Sequence, residues 1–244
     1  MRHAKLLAIA LVCVSLAGFS LACSSEAPPP TDYPDAVTAD PDHYSVEAEN
    51  DAVRLVRINY GAGEASVMHT HPASCSVSLS DGSWSMTDPD GGVTEEPNTL
   101  GEVGCFDAVV HLPTNTSSEE SAVILVEFKE GAMAGDATAE YPDAVTADPD
   151  HYTVEWENDV LRLVRIKYGP GETSTMHHHP ANCAVFLGVQ EITFELPDGE
   201  VQEPPATELG QVACVDAHDH LPTNVGDEPL ELVLVELKGR ATWE

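Results

Sequence analysis

Residues 171–183 read GETSTMHHHPANC, and residues 63–75 read GEASVMHTHPASC. Both stretches set histidines two apart, His69 with His71 and His177 with His179. Side chains alternate faces along a β-strand, so residues i and i+2 point the same way, roughly 6.5–7 Å apart. A His-x-His strand therefore aims two imidazoles into one space. A third histidine follows each pair in an identical setting, His111 and His220, each ahead of LPTN. A neighbouring strand can bring that third ring against the first two. Three neutral imidazole nitrogens around one point suit Zn, Fe, Mn, Cu or Ni as a divalent ion, with positions left open for water or a small molecule. The expected cofactor is such a metal. The expected ligands are His69, His71 and His111, and again His177, His179 and His220.

The two histidine stretches belong to a longer repeat. YPDAVTADPDHY at 33–44 recurs unchanged at 141–152, and the register holds through LVRI at 55–58 and 163–166. It slips by one residue before Cys105 and Cys214. Each unit closes on an apolar run, at 122–128 and 230–237. Between these points lie short β-branched runs separated by Asp-Gly and Pro-Asp-Gly turns, and no stretch beyond the leader keeps a 3.6-residue apolar period. The expected class is all-β. The expected organisation is a signal peptide at 1–22, a Pro/Ser-rich linker at 23–32, one domain at 33–130, a linker at 131–140 and a second domain at 141–242.

The leader has a basic start, Arg2 and Lys5, then an apolar run at 6–19 and a small-residue cleavage site before Cys23. The run is short for a membrane span. Cys23, followed by two serines and a proline-rich linker, resembles the lipobox of bacterial lipoproteins, although Leu21 stands two residues before the cysteine instead of three. That resemblance implies acylation of Cys23 and a periplasmic or outer-membrane lipoprotein, touching membrane only through its lipid. Ordinary secretion with cleavage after Ala22 is the alternative.

Lys and Arg number 10 against 42 Asp and Glu. Loss of the leader removes two of the basic residues and none of the acidic ones, for a formal charge of −34. So acidic a surface repels nucleic acid and anionic lipid headgroups, which leaves a metal ion or a small molecule as the expected partner. A high-salt habitat produces the same composition. The sequence does not fix the oligomeric state.

The motif spacing resembles that of the cupin superfamily. Its first motif runs Gly, five residues, His-x-His, three or four residues, Glu, six residues, Gly; here Gly63, His69, His71 and Gly82 match, as do Gly171, His177 and His179. The second motif ends His-x-x-x-Asn, matched by His111 with Asn115 and His220 with Asn224, although its preceding Pro-x-Gly is missing. The resemblance spans residues 33–130 and 141–240 and implies a bicupin, two tandem jelly-roll barrels. At a three-residue spacing Cys75 and Cys183 stand where the family carries its glutamate ligand. They are read as bridged to Cys105 and Cys214 within their own repeats, which accounts for two cysteines per copy in an exported chain. Two other readings stay open: thiolate ligands, or a cysteine placed as in cysteine dioxygenases.

Some further positions stand out. His218 replaces Val109 of the first copy and shares a face with His220 if residues 216–220 are extended. It is a candidate fourth ligand that would make the second site the tighter one; a strand irregularity would turn it to solvent instead. Asp107 and Asp216 are candidate acceptors for an imidazole N–H. His43 and His151 read as part of an arm packed onto each barrel. No nucleophile triad, phosphate loop or clustered base pair is present. Two functions fit: an envelope protein that binds metal and a small ligand, or a metal-dependent enzyme of dioxygenase, isomerase or lyase type.

Overall fold

The computed structural model describes residues 32–129, 139–238 and 243. The leader, Cys23 and most of the inter-unit linker lie outside them. In the first unit a single helical turn, α1 (Ala36–Ala39), precedes nine strands: β1 (Tyr44–Glu49), β2 (Val53–Tyr60), β3 (His69–His71), β4 (Ser74–Ser78), β5 (Gly82–Thr87), β6 (Val93–Asn98), β7 (Val103–Phe106), β8 (Val109–Asn115) and β9 (Ser121–Phe128). The second unit repeats the order with α2 (Ala144–Ala147), β10 (Tyr152–Glu157), β11 (Leu161–Tyr168), β12 (His177–His179), β13 (Asn182–Phe186), β14 (Ile192–Glu195), β15 (Val201–Gln202), β16 (Val212–Val215), β17 (His218–Asn224) and β18 (Leu230–Leu237). Asp35 and Asp143 start the helical turns by accepting the N–H of Val37 and Val145. Each unit folds as two sheets, ordered β1-β2-β9-β4-β7 and β3-β8-β5-β6, with the matching pair in the second unit. All of these strand pairs are antiparallel. The fold is a tandem jelly roll.

Central strands β9 and β18 are apolar on both faces, and the two faces serve different cores. Val123 and Leu125 point into the first barrel with Val56, Ile58 and Trp84. Their neighbours Ile124 and Val126 point the other way, into a cluster that also takes Leu161, Leu163, Val233 and Val235 from the second unit. The five-stranded sheets thus pack against each other through a shared core. Reciprocal contacts border it. Arg57 donates from Nη2 to Gly210 O and Arg165 donates from Nη2 to Gly101 O, each at 2.5 Å. Gly101 (φ 79°) and Gly210 (φ 76°) hold a left-handed backbone that suits glycine. A Cβ there would also lie 2.9 Å from Leu187 and 2.8 Å from Leu79 of the opposite unit.

Both disulfides lie in this shared core. Cys75 pairs with Cys105 across β4 and β7, and Cys183 with Cys214 across β13 and β16; Cys75 and Cys183 are fully buried. The thiolate-ligand and dioxygenase-like readings of these cysteines are therefore corrected, because both sulfurs are bonded and face the partner barrel.

Candidate metal centre

Strand β3 lies antiparallel to β8 with His69 opposite His111, and β12 to β17 with His177 opposite His220. Alternation turns both residues of each His-x-His pair inward, where they are 0% and 2% exposed. In the first barrel the ring centroids lie 4.8–5.3 Å apart at 83–90° to one another. In the second they lie 4.7–5.0 Å apart at 84–88°. The three ligand nitrogens of each group fall within 4.8 Å of one another.

Hydrogen bonds fix the tautomers. His69 donates from Nδ1 to Val67 O at 2.8 Å, and His71 from Nδ1 to Glu127 Oε1 at 2.8 Å. His177 and His179 donate in the same way to Thr175 O (2.8 Å) and Glu236 Oε1 (2.6 Å). Each Nε2 then carries a lone pair and no proton. Yet the Nε2 atoms of His69 and His71 face each other at 3.0 Å, and those of His177 and His179 at 2.9 Å. Two buried acceptors at that distance repel unless a cation joins them. Nε2 of His111 and of His220 is buried without a protein partner, a condition that native interiors rarely tolerate. A divalent ion bound at about 2.0–2.1 Å from each nitrogen resolves all three conditions. Charge state agrees. Burial, with His71 nearby, pushes His69 down to about 4, and burial pushes His111 down to about 3. Burial likewise lowers His177, His179 and His220. At neutral pH these imidazoles are uncharged, the state in which they can ligate a metal.

A further layer holds the pair in place. Glu236, 1% exposed, orients His179 and is paired with Arg162, which also bonds Asp143 at the start of α2. Glu127, Arg54 and Asp35 repeat the arrangement around His71. Carboxylate support of this kind fixes ring orientation and raises ligand basicity. Burial raises the pKa of Glu236 and the Arg162 charge opposes the shift. Arg162→Met should therefore cost about 3–5 kcal/mol by leaving a buried carboxylate unpaired. Urea denaturation measures it, and a further Glu236→Met change should restore most of the loss. A single-variant cost near zero would show that Glu236 is not charged in the fold.

The arm contributes more than packing. Tyr44 donates to His69 Nε2 at 3.2 Å and accepts from the Tyr60 hydroxyl at 2.9 Å. Tyr152, His177 and Tyr168 repeat this at 3.1 and 2.8 Å. Burial raises both phenols, Tyr60 to about 12, so they keep their protons. His43 stacks on Tyr60 at 4.2 Å and bonds Asp40 and Glu64. Its reading as an arm residue agrees with this placement.

Other expected positions divide. Asn115 holds the turn after its histidine, donating to Gly61 O and Glu119 O. Asp107 and Asp216 are exposed and do not support the third histidine; Asp216 accepts Trp243 N instead. Glu127 and Glu236 do the supporting work on the second histidine of each pair. A glutamate one residue before the end of each apolar run, 122–128 and 230–237, was the signal for them. His218 does share the face of His220, its ring 4.6 Å away and 5.7 Å from His179, with Nδ1 donating to Asp216 O. It borders the three-histidine group without belonging to it.

The interiors differ. The first barrel encloses a cavity of about 230 Å³ that reaches His71, His111 and Tyr44. In the second, Phe194 lies flat on His220 at 4.9 Å and 2°.

No family model matches this chain, and no curated protein matches it. Its fold is similar to those of solved structures. AerE from Microcystis aeruginosa aligns with TM-score 0.55 at 16% identity over 80% of this chain and 92% of that one. A cupin 2 conserved barrel domain protein from Leptotrichia buccalis gives 0.53 at 11% over 80% and 88%. A single-substitution variant of oxalate decarboxylase from Bacillus subtilis gives 0.51 at 12% over 89% and 80%. At such identities the likeness establishes the fold: two cupin-type barrels in one chain.

Proposed function

We propose that this chain is a metal-binding bicupin of the bacterial cell envelope. Each barrel holds one divalent transition metal, through His69, His71 and His111 in the first and His177, His179 and His220 in the second. The facing pairs of unprotonated Nε2 atoms, with a third, unpartnered nitrogen beside them, carry this reading. With all four core cysteines bridged, the ligand set is nitrogen alone, which suits Zn, Fe, Mn, Cu or Ni. The disulfides favour an oxidising, exported compartment; the envelope location and a lipid on Cys23 extend that reading. No helix among the described residues is long and apolar enough to cross a membrane.

Elemental analysis of the mature chain, made without a histidine tag, should find two transition-metal ions. Changing His177 and His179 together to Ala should leave one ion and a folded protein, because neither apolar barrel interior depends on the metal. Undiminished metal, or a metal-free wild type, would overturn the reading.

His218 is the basis for unequal sites. With Nδ1 committed to Asp216 O, its Nε2 is bare and borders the second group. Chelator competition on the full chain should find that site the tighter one, and His218→Val should weaken it about tenfold. Equal sites unaffected by the substitution would make His218 a surface residue.

The cavity favours a second reading, a metal-dependent enzyme in the first barrel. A divalent metal supplies Lewis-acid chemistry or an activated water. The chain's own groups supply the rest: Glu127 orients His71, Tyr44 presents an O–H beside the ligand nitrogens, and the apolar walls exclude bulk water.

A further inference from the structure

Duplication has left two barrels whose three-histidine groups match and whose interiors do not. Strand register pairs each inward position with its counterpart. Ser76 and Ser78 on β4 correspond to Ala184 and Phe186 on β13. Ser121 on β9 corresponds to Leu230 on β18. In the second barrel, Phe186, Leu230, Leu232 and Leu234 close into one apolar cluster with Phe194. In the first, Ser78 lines the cavity where the second barrel carries the phenyl group of Phe186. The cavity is smaller than the roughly 300–1,000 Å³ of drug-sized sites, so its occupant is small.

The wall of the cavity is one-sided in charge. No lysine or arginine lines it, whereas Glu96 and Glu102 do. The Glu102 carboxylate accepts the Thr99 N–H at 3.0 Å. Glu96 is free of such a commitment: it makes no ion pair among the described residues, and it sits opposite Trp84 across β5 and β6, on the inward face. The apolar part of the wall includes Trp84, Ile58, Val123 and Leu125. The second barrel carries no carboxylate at the corresponding place. There β15 stops at Gln202, and continued register would place Pro204 where Glu96 stands.

We propose that the first barrel alone receives a small organic ligand, and that this ligand is an amine: an apolar or aromatic body with one end toward the imidazoles and an ammonium toward Glu96 and the Trp84 ring. An ammonium gains from both the carboxylate and the indole face. A carboxylate in the same place meets only like charge, with no cation to pair with. This inference rests on the proposed metal site only for the direction in which the ligand points. The amine preference and the restriction to one barrel follow from the cavity.

Calorimetric titration of the full mature chain tests it, with metal content measured on each preparation and the titration run on metal-loaded and metal-stripped protein. Tyramine and 4-hydroxyphenylacetate serve as probes, alike in the phenol and opposite in tail charge. Tyramine should bind once per chain and about tenfold more tightly than the acid. Glu96→Gln, at an exposed position that leaves folding intact, should remove most of that preference. Ser78→Phe should abolish binding while the metal content stays at its wild-type value. Two tyramines per chain, a preference for the acid, no binding by folded protein, or binding that survives Ser78→Phe would overturn the proposal. A chain that takes up no metal yet still prefers tyramine would instead overturn the metal reading alone.

Discussion

Protein lacking both disulfides, through Cys75→Ala and Cys183→Ala or under strong reductant, should lose about 6–8 kcal/mol of unfolding free energy. Each bridge closes a loop of 30 or 31 residues, for which the chain-entropy model gives about 3–4 kcal/mol apiece. Burial adds to the effect in the alanine variants, since sulfur lost from a fully buried position leaves a gap in the shared core. A domain's whole stability is about 5–15 kcal/mol, so the variant should be largely unfolded at mild urea concentrations. Equilibrium urea curves of oxidised and reduced protein measure the difference. A change under about 1 kcal/mol would mean that packing alone holds β4 to β7 and β13 to β16.

Acid should destabilise the metal-stripped protein strongly. His69 and His111 have folded pKa values of about 4 and about 3, below the ordinary histidine value of 6.5. Below pH 6.5 the unfolded chain takes up protons that the fold refuses. The contribution of these groups is therefore complete above that pH and is lost as pH falls toward the folded values. Linkage gives roughly 3 kcal/mol for His69 and roughly 5 kcal/mol for His111 over that window. Glu236 works in the opposite sense, because its raised pKa makes the fold bind a proton sooner than the unfolded chain. One carboxyl does not offset several imidazoles. Unfolding free energies at pH 7, 6, 5 and 4 should fall steadily. A flat profile would contradict the burial of uncharged imidazoles in the site.

The His-x-His pairs and the third histidine were legible because a period of two is a local property and the duplication displays it twice. The all-β class was legible from turn spacing for the same reason. The face of Cys75 was not. Counting by twos from His71 puts residues 73 and 75 on the metal side, yet Pro72 and Ala73 break the ladder between β3 and β4. The break resets parity, Cys75 turns to the partner barrel and Ser76 takes the cavity side. A one-residue slip exchanges faces in any strand. Tyr44 and Glu127 lie 25 and 56 residues from the histidines they touch, and no local pattern carries that information. The shared core was foreshadowed by the runs at 122–128 and 230–237, apolar on both faces as strands buried on both sides are.

That shared core makes the two halves a single unfolding unit. Whatever stabilises one barrel must be overcome before the other can open, so an ion bound in the second barrel should shield the first from proteolysis although it touches none of its residues. At a free metal concentration one hundred times the dissociation constant, one occupied site contributes about 2.7 kcal/mol to the whole chain. Either half produced separately would expose a sheet face whose natural cover is a near copy of itself. The reciprocal pairing of Arg57 with Gly210 and Arg165 with Gly101 shows how two such halves would meet: head to head, as a homodimer that reproduces within a pair of chains what the intact protein achieves within one.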